Sequence, residues 1–387
     1  MKNSVKPDFH IPSEIYIRQD IINDLAGICS RYGSRVILIT TTENLEIYHA
    51  NIDTIVEKFK EAGMGCIIYD ELPPNPNTED IDTAVSFTKK TNADLIIGFG
   101  GIEAINSAKA VALLCNNYLF CNELFSQTQI REKPVSLITV PTYPLYGFEI
   151  APLLFLDEIH GLTKKVYYNY DLYPVATIVD PLLSLSISEE LAMKTVISTL
   201  AISTESVIST KNNQIINTYA LKSIDLIFRN LPLIYREPQS IAPRAYLSTA
   251  SIMSGMAFSV SYLSVTLSLG LALASKAEIS IESAMSVILP HIMEFNLTTS
   301  PGKYVQMSKV MGEEVKEITV IEAAIKAVEA IRKLEADIDI PQRLSSYDVP
   351  KTQFKDIAAL TMTYPFIKNT PRPLNENEIE TILIAAY

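Results

Sequence analysis

The first half of the chain alternates short apolar runs with longer stretches of helical period. RVILIT at Arg35–Thr40, the runs Cys66–Tyr69, Leu95-Ile96-Ile97 and Val135–Pro141, and VATIVD at 175–180 are the kind of segment that forms strands covered on both faces. Between them, Ile21–Ser30, Ile52–Ala62 and Ile81–Thr91 repeat apolar residues at helical spacing. ELPPNPNTED is a turn that ends in an N-cap for the third of these helices. Ile11–Ile17 predicts an edge strand, and Leu156–Tyr173 reads as irregular. Strands alternating with helices predict a parallel, doubly wound sheet, that is, a Rossmann-like α/β domain.

From Pro181 the pattern is helical throughout, in segments such as SISEELAMKTVISTLAISTESVIS and TVIEAAIKAVEAIRKLEAD. The change near Asp180–Ser184 predicts two domains, an α/β domain over 1–182 and an all-α domain over 183–387. Ala245–Ser275 has no charged residue and is long enough for a membrane span. Its Ser and Thr content and the interruptions at Gly255 and Gly270 favour one or two buried helices instead.

A hydrophobic content of 48% with 20% charged residues describes a globular chain with ample core. The net charge of −12 argues against nucleic acid and anionic membranes as partners. Cys29, Cys66, Cys115 and Cys121 form no CxxC pair, so they read as free thiols in a reducing compartment. No apolar leader is visible in MKNSVKPDFHIPSEIY, and the expected location is cytoplasmic.

The chemistry concentrates in DLIIGFGGIEAINSAKA at 94–110, where a strand turns through Gly98, Gly100 and Gly101 into a helix. That arrangement suits a phosphate, because backbone N–H groups and the positive dipole end meet where no side chain intrudes. Taken by itself, the same turn also serves strand–helix packing.

Several stretches together resemble the iron-dependent alcohol dehydrogenase family, whose fold is shared with dehydroquinate synthase and glycerol dehydrogenase. DLIIGFGGIEAINSAKA is similar to its D-x-I-I-G-x-G-G-G-S-x-x-D-x-A-K, and PPNPNTEDI to its P-N-P-T segment. PTYPLYGFE at 141–149 is similar to P-T-T-x-G-T-G-S-E. VDPLLSLSISEELAMKT, GMAFS, LPHIMEFN and IKNTPRPLNENEIETILIAAY follow in register. The resemblance implies an active site between the two domains, NAD(P) as cofactor, Fe²⁺ or Zn²⁺ as metal, and a homodimer.

It also implies where the chemistry departs. Ungapped register places the four metal positions at Ser198, Ile202, Leu267 and Ile281, and the substrate-side histidine position at Leu271. A hydroxyl and three hydrocarbons do not bind these ions. The histidines of the chain are His10, His49, His160 and His291, and His291 reads as a helix-end packing residue. The bulky aliphatics predict either a filled core or an apolar pocket.

In the nucleotide motif, Gly98, Gly100, Gly101, Lys109 and Thr142 are retained as vestigial cofactor-binding positions. Ile102 and Glu103 replace the third glycine and the serine. Ile102 crowds the backbone approach to a pyrophosphate, and Glu103 sets a carboxylate where the phosphate belongs. Thr41 stands where NAD-preferring members carry Asp. Tyr143, Pro144, Leu145, Tyr146 and Phe148 replace mostly small residues.

These departures lead to the expectation of a pseudoenzyme with no cofactor and no catalytic residues, acting as a scaffold or regulator with a possible protein partner. Two alternatives stand beside it. One is a metal-independent NAD(P)-dependent alcohol or aldehyde oxidoreductase, with proton chemistry from Tyr143, Tyr146 or Lys194. The other is a binder of a small apolar ligand in the cleft.

Overall fold

The computed structural model describes residues 8–126, 129–159 and 163–387; His160 lies outside them. Strands β1 (Glu14–Ile17), β2 (Arg35–Thr41), β3 (Gly65–Leu72), β4 (Leu95–Gly100), β5 (Ser136–Pro141) and β8 (Ala176–Val179) form one six-stranded sheet in the order β1-β8-β5-β4-β2-β3. All its pairings are parallel, as expected for strands that read as continuous apolar runs.

Helices α1 (Leu25–Cys29), α2 (Thr42–Glu61), α3 (Thr78–Thr91) and α4 (Ile102–Cys115) connect the strands. The predicted N-cap is Asn77, whose side chain accepts from Glu79 and Asp80 N–H groups while the Asp80 carboxylate takes the Asn77 N–H. Helix α2 begins ten residues before the predicted Ile52. Its first turns, TENLEIYHAN, lack apolar period; the Thr41 cap accepting from Asn44 starts them, and a non-helical residue at Tyr48 marks the join.

An antiparallel hairpin, β6 (Leu153–Asp157) with β7 (Lys164–Tyr168), runs into the segment Leu156–Tyr173 expected to be irregular, which holds all of β7 and the end of β6. Strand β7, KKVYY, carries two lysines and is half-buried along its length, so neither period shows. A Lys164–Asp157 ion pair at 2.9 Å closes it.

Residues beyond 188 form α5 (Glu189–Ile208), α6 (Gln214–Arg236), α7 (Ile241–Ser261), α8 (Val265–Lys276), α9 (Ile281–Leu297), α10 (Pro301–Val310), α11 (Val320–Asp337), α12 (Phe354–Thr363) and α13 (Glu376–Ala385). The charge-free stretch is two helices, α7 and α8, bent by 99° at Tyr262, which takes φ +43°. Among the described residues α5 alone is an unbroken helix long and apolar enough to cross a membrane, and 94% of its apolar window is buried inside the protein.

Glu205 on α5 explains how α8 starts in so apolar a setting. Its carboxylate accepts from Ser264 Oγ at 2.7 Å, from Val265 N–H at 2.7 Å and from Thr266 N–H at 3.1 Å. It thereby satisfies donors that open α8 and sits at the positive end of the dipole. Burial still pushes this carboxyl above its usual value.

The two halves share core. Ile102, Tyr146, Phe148 and Phe155 of the α/β part belong to the same apolar cluster as α5, α7, α8 and α9. The turn at Gly147 touches α7 at Gly255: a methyl on Gly255 would lie 2.3 Å from the Gly147 carbonyl oxygen. Gly147 itself takes φ +94°, and its N–H donates to Ser251 Oγ at 3.0 Å.

Candidate functional site

The glycine turn sits where the C-terminal end of the interior strand β4 meets α4. Gly98 lets α4 lie against the strand, since a methyl there would come within 2.7 Å of Ala108 Cβ. Gly100 takes φ +136°, and its carbonyl accepts from Thr142 N–H at 3.1 Å, which brings the β5 end beside the turn. Gly98, Gly100, Gly101 and Thr142 are therefore together.

The space above them is occupied. A methyl on Gly101 would lie 2.4 Å from the Tyr143 hydroxyl oxygen, so the tyrosine lies over the turn. The gap lined by Thr142, Tyr143, Pro144 and Glu149 is too narrow for a water molecule. Ile102 does not project into this space; it is 2% exposed and packs into the shared core. Glu103, at the first turn of α4, turns its carboxylate to its own backbone N–H. Burial, first, and the nearby Glu282 carboxylate raise Glu103 to about 7.

Lys109 corrects an expectation. It is not beside the glycine turn but enclosed, with Nζ donating to the carbonyls of Phe148 at 2.6 Å, Ala151 at 2.7 Å and Leu153 at 2.9 Å. Burial pulls it down to about 7, and the Glu149 carboxylate opposes that. Three acceptors match the three donors of an ammonium, so the residue ties α4 to the 148–153 segment. Lys194 likewise lies away from the cleft, paired with Glu190 and stacked 5.3 Å over Tyr347.

The positions expected from the resemblance to hold metal are apolar core. Ile202, Leu267 and Leu271 are fully buried and Ile281 is 7% exposed, all in one cluster where α5, α8 and α9 pack together. Ser198 Oγ donates back to the Lys194 carbonyl at 3.0 Å. Among the described residues no three His, Cys, Asp or Glu side chains come together as a metal site. This donor set does not fit a divalent ion. His291 is half-buried on α9 beside Glu294 at 3.8 Å, and burial lowers its basicity.

What stays open between the two halves is a polar cleft of about 430 Å³. Asn75, Asn77, Glu103, Asp157 and Lys164 line it from one side, and Ser280, Ile281 and Glu282 from the other. Of the five metal and substrate positions, Ile281 reaches this cleft. Tyr146, at φ +48°, donates its hydroxyl to Glu282 at 2.8 Å. Burial pushes the phenols of Tyr143 and Tyr146 well above their usual value. Glu282 was not visible as a site residue in the sequence; a lone carboxylate in the first turn of a helix reads as a dipole partner.

A parallel doubly wound domain, a glycine turn opening α4 and an all-helical second half define a dehydrogenase-type architecture with its cleft between the parts. Residues 12–181 match the family model for iron-containing alcohol dehydrogenase, and residues 192–387 match that for the Fe-containing alcohol dehydrogenase family, C-terminal. The chain belongs to the iron-containing alcohol dehydrogenase family. It is 26% identical over 384 residues to the 1,3-propanediol dehydrogenase of Citrobacter freundii, covering 98% of each chain. It is 23% identical over 380 residues to alcohol dehydrogenase 4 of Saccharomyces cerevisiae, again covering 98% of each. The crystal structure of a 1,3-propanediol oxidoreductase superposes with a TM-score of 0.94 at 25% identity, over 99% of this chain and 100% of that one.

Proposed function

We propose that this chain is a catalytically degenerate member of its family, a pseudoenzyme that keeps the fold and works as a scaffold or regulatory protein. The observation that carries the proposal is the chemistry of the metal positions. Ser198, Ile202, Leu267, Ile281 and Leu271 offer one hydroxyl and four hydrocarbons, and that hydroxyl is hydrogen-bonded to its own helix. The enclosed glycine turn, with Tyr143 over Gly101 and the Glu103 carboxylate at the start of α4, supports loss of the dinucleotide as well. In this reading Glu103 stands in for a phosphate, and the protein acts through partners as a homodimer.

Metal analysis of the purified chain together with calorimetric titration of NADH and NADPH tests it. The expected result is no stoichiometric iron or zinc and no dinucleotide binding tighter than about 1 mM. One metal per chain, or micromolar binding, overturns it.

One observation favours a second reading, a metal-independent alcohol or aldehyde oxidoreductase. The buried Tyr146 donates its hydroxyl to Glu282, which lines the open cleft. Such an enzyme needs the dinucleotide, so the same titration decides between the two, and alcohol-dependent NADH formation that survives chelation would favour the second.

A further inference from the structure

The segment YYNYDLY at 167–173 builds a second site, far in sequence from the glycine turn. Tyr262, Tyr168, Tyr170, Tyr173 and His10 form a continuous aromatic wall. Successive ring centroids are 4.7, 5.8, 6.0 and 6.2 Å apart. Phe9 and His10 are held against this wall, since Tyr173 Oη donates to the His10 carbonyl at 3.1 Å and Phe9 stacks on Tyr219 at 5.7 Å.

The wall lines a cleft of about 630 Å³, within the range of small-molecule sites. Apart from Val260, the rest of the lining is polar: Asp8, Ser259 and the turn Thr210–Asn213 that joins α5 to α6. Lys211 is exposed at that turn, and Asn213 caps the 23-residue α6, whose positive dipole end opens there. Among the described residues Asp8 is the one carboxylate in the lining, against Lys211 and the helix terminus.

We infer that this cleft binds a small aromatic anion, a planar ring bearing a carboxylate or a phosphate. The ring lies along the tyrosines, whose faces and edges take an aromatic partner, and the anion lies at Lys211 and the first turn of α6. A quaternary ammonium would also suit aromatic faces, but it would meet the lysine and the positive helix end. The site shares no lining residue with the cleft between the two halves and does not rest on the function proposed above.

The test uses the full chain with benzoate and phenyl phosphate, which separate carboxylate from phosphate as the anionic group. Saturation-transfer NMR and calorimetry read the binding. Cyclohexanecarboxylate is the control for charge and benzyl alcohol the control for the ring. The expected result is one site per chain for at least one of the two anions, with a dissociation constant of about 1 mM or tighter. Both controls bind about tenfold more weakly or less, and the exposed-site variants Tyr170→Ala and Lys211→Gln each weaken binding about tenfold while leaving the unfolding midpoint in place. Equal binding of a control, indifference to both variants, or no binding of either anion overturns the inference. So does a solution dimer in which a second copy covers Tyr170.

Discussion

Replacing Lys109 by Met separates a structural role for its ammonium from a ligand-facing one. The side chain is fully buried and bridges α4 to three carbonyls of the 148–153 segment through bonds of 2.6, 2.7 and 2.9 Å. Methionine matches the stem and removes every donor. Each orphaned carbonyl costs about 1–3 kcal/mol, because nothing else in that apolar setting donates to it. The three carbonyls together cost about 3–9 kcal/mol, and relief from burying the ammonium offsets part of that, leaving a net loss of about 3 kcal/mol. Urea denaturation followed by far-UV circular dichroism at pH 7 reads it as a midpoint lowered by roughly 1 M or more, at a slope near 3 kcal/mol/M. Lys109→Arg gives no rescue, since the planar guanidinium does not fit three carbonyls arranged around a point. A loss below about 1 kcal/mol for Lys109→Met, the level of a surface change, refutes the bracket and returns the residue to the list of ligand contacts.

Glu103→Gln tests the carboxylate at the start of α4. A carboxyl raised from 4.5 to about 7 holds a proton in the folded state that the unfolded chain releases, so its contribution is complete below about pH 4.5 and is lost as the pH climbs to 7. The variant therefore gains on the parent between pH 5 and pH 8, by about 2–3 kcal/mol; a stability difference that is flat with pH contradicts the burial of that group. Gly255→Ala tests the seam between the two halves. Its methyl would stand 2.3 Å from the Gly147 carbonyl oxygen and 2.8 Å from Gly147 Cα, backbone atoms that cannot rotate away. The expected loss is about 3 kcal/mol or more in thermal unfolding, and a midpoint equal to the parent's would show that the seam adapts.

Much of the fold was legible because its signals are local. RVILIT and DLIIGFG are unbroken apolar runs, and both became interior parallel strands. Asn77 announced its helix through a capping pattern three residues long. The hairpin of β6 and β7 escaped because KKVYY is half-buried, with lysines whose charged ends reach solvent. The early start of α2 escaped because a cap at Thr41, not an apolar stripe, begins it. Lys109 illustrates the limit for sites. Its place in a motif suggested a ligand contact, while its three partners lie 39 to 44 residues further along the chain, and no spacing rule carries that information. Tyr143 over Gly101 was foreshadowed by bulky residues in a small-residue motif, although the direction of the ring was not.

The residues at the positions expected from the resemblance to hold metal also bear on the stability of the helical half. Imidazoles and a carboxylate left inside the α5–α8–α9 contact without an ion would be buried polar groups without partners, each costing about 1–3 kcal/mol and more if charged. Bulky aliphatics reverse the sign, contributing about 1.5–3 kcal/mol each when fully buried, as Ile202, Leu267 and Leu271 are. The difference across the site is on the order of the whole stability of a domain. The α5–α8–α9 contact is held by apolar packing at these positions, and the buried Glu205 carboxylate on α5 is engaged at the start of α8. A metal-binding set at these positions would require several polar groups at once, because any single one would be an unpaired group in a close-packed core.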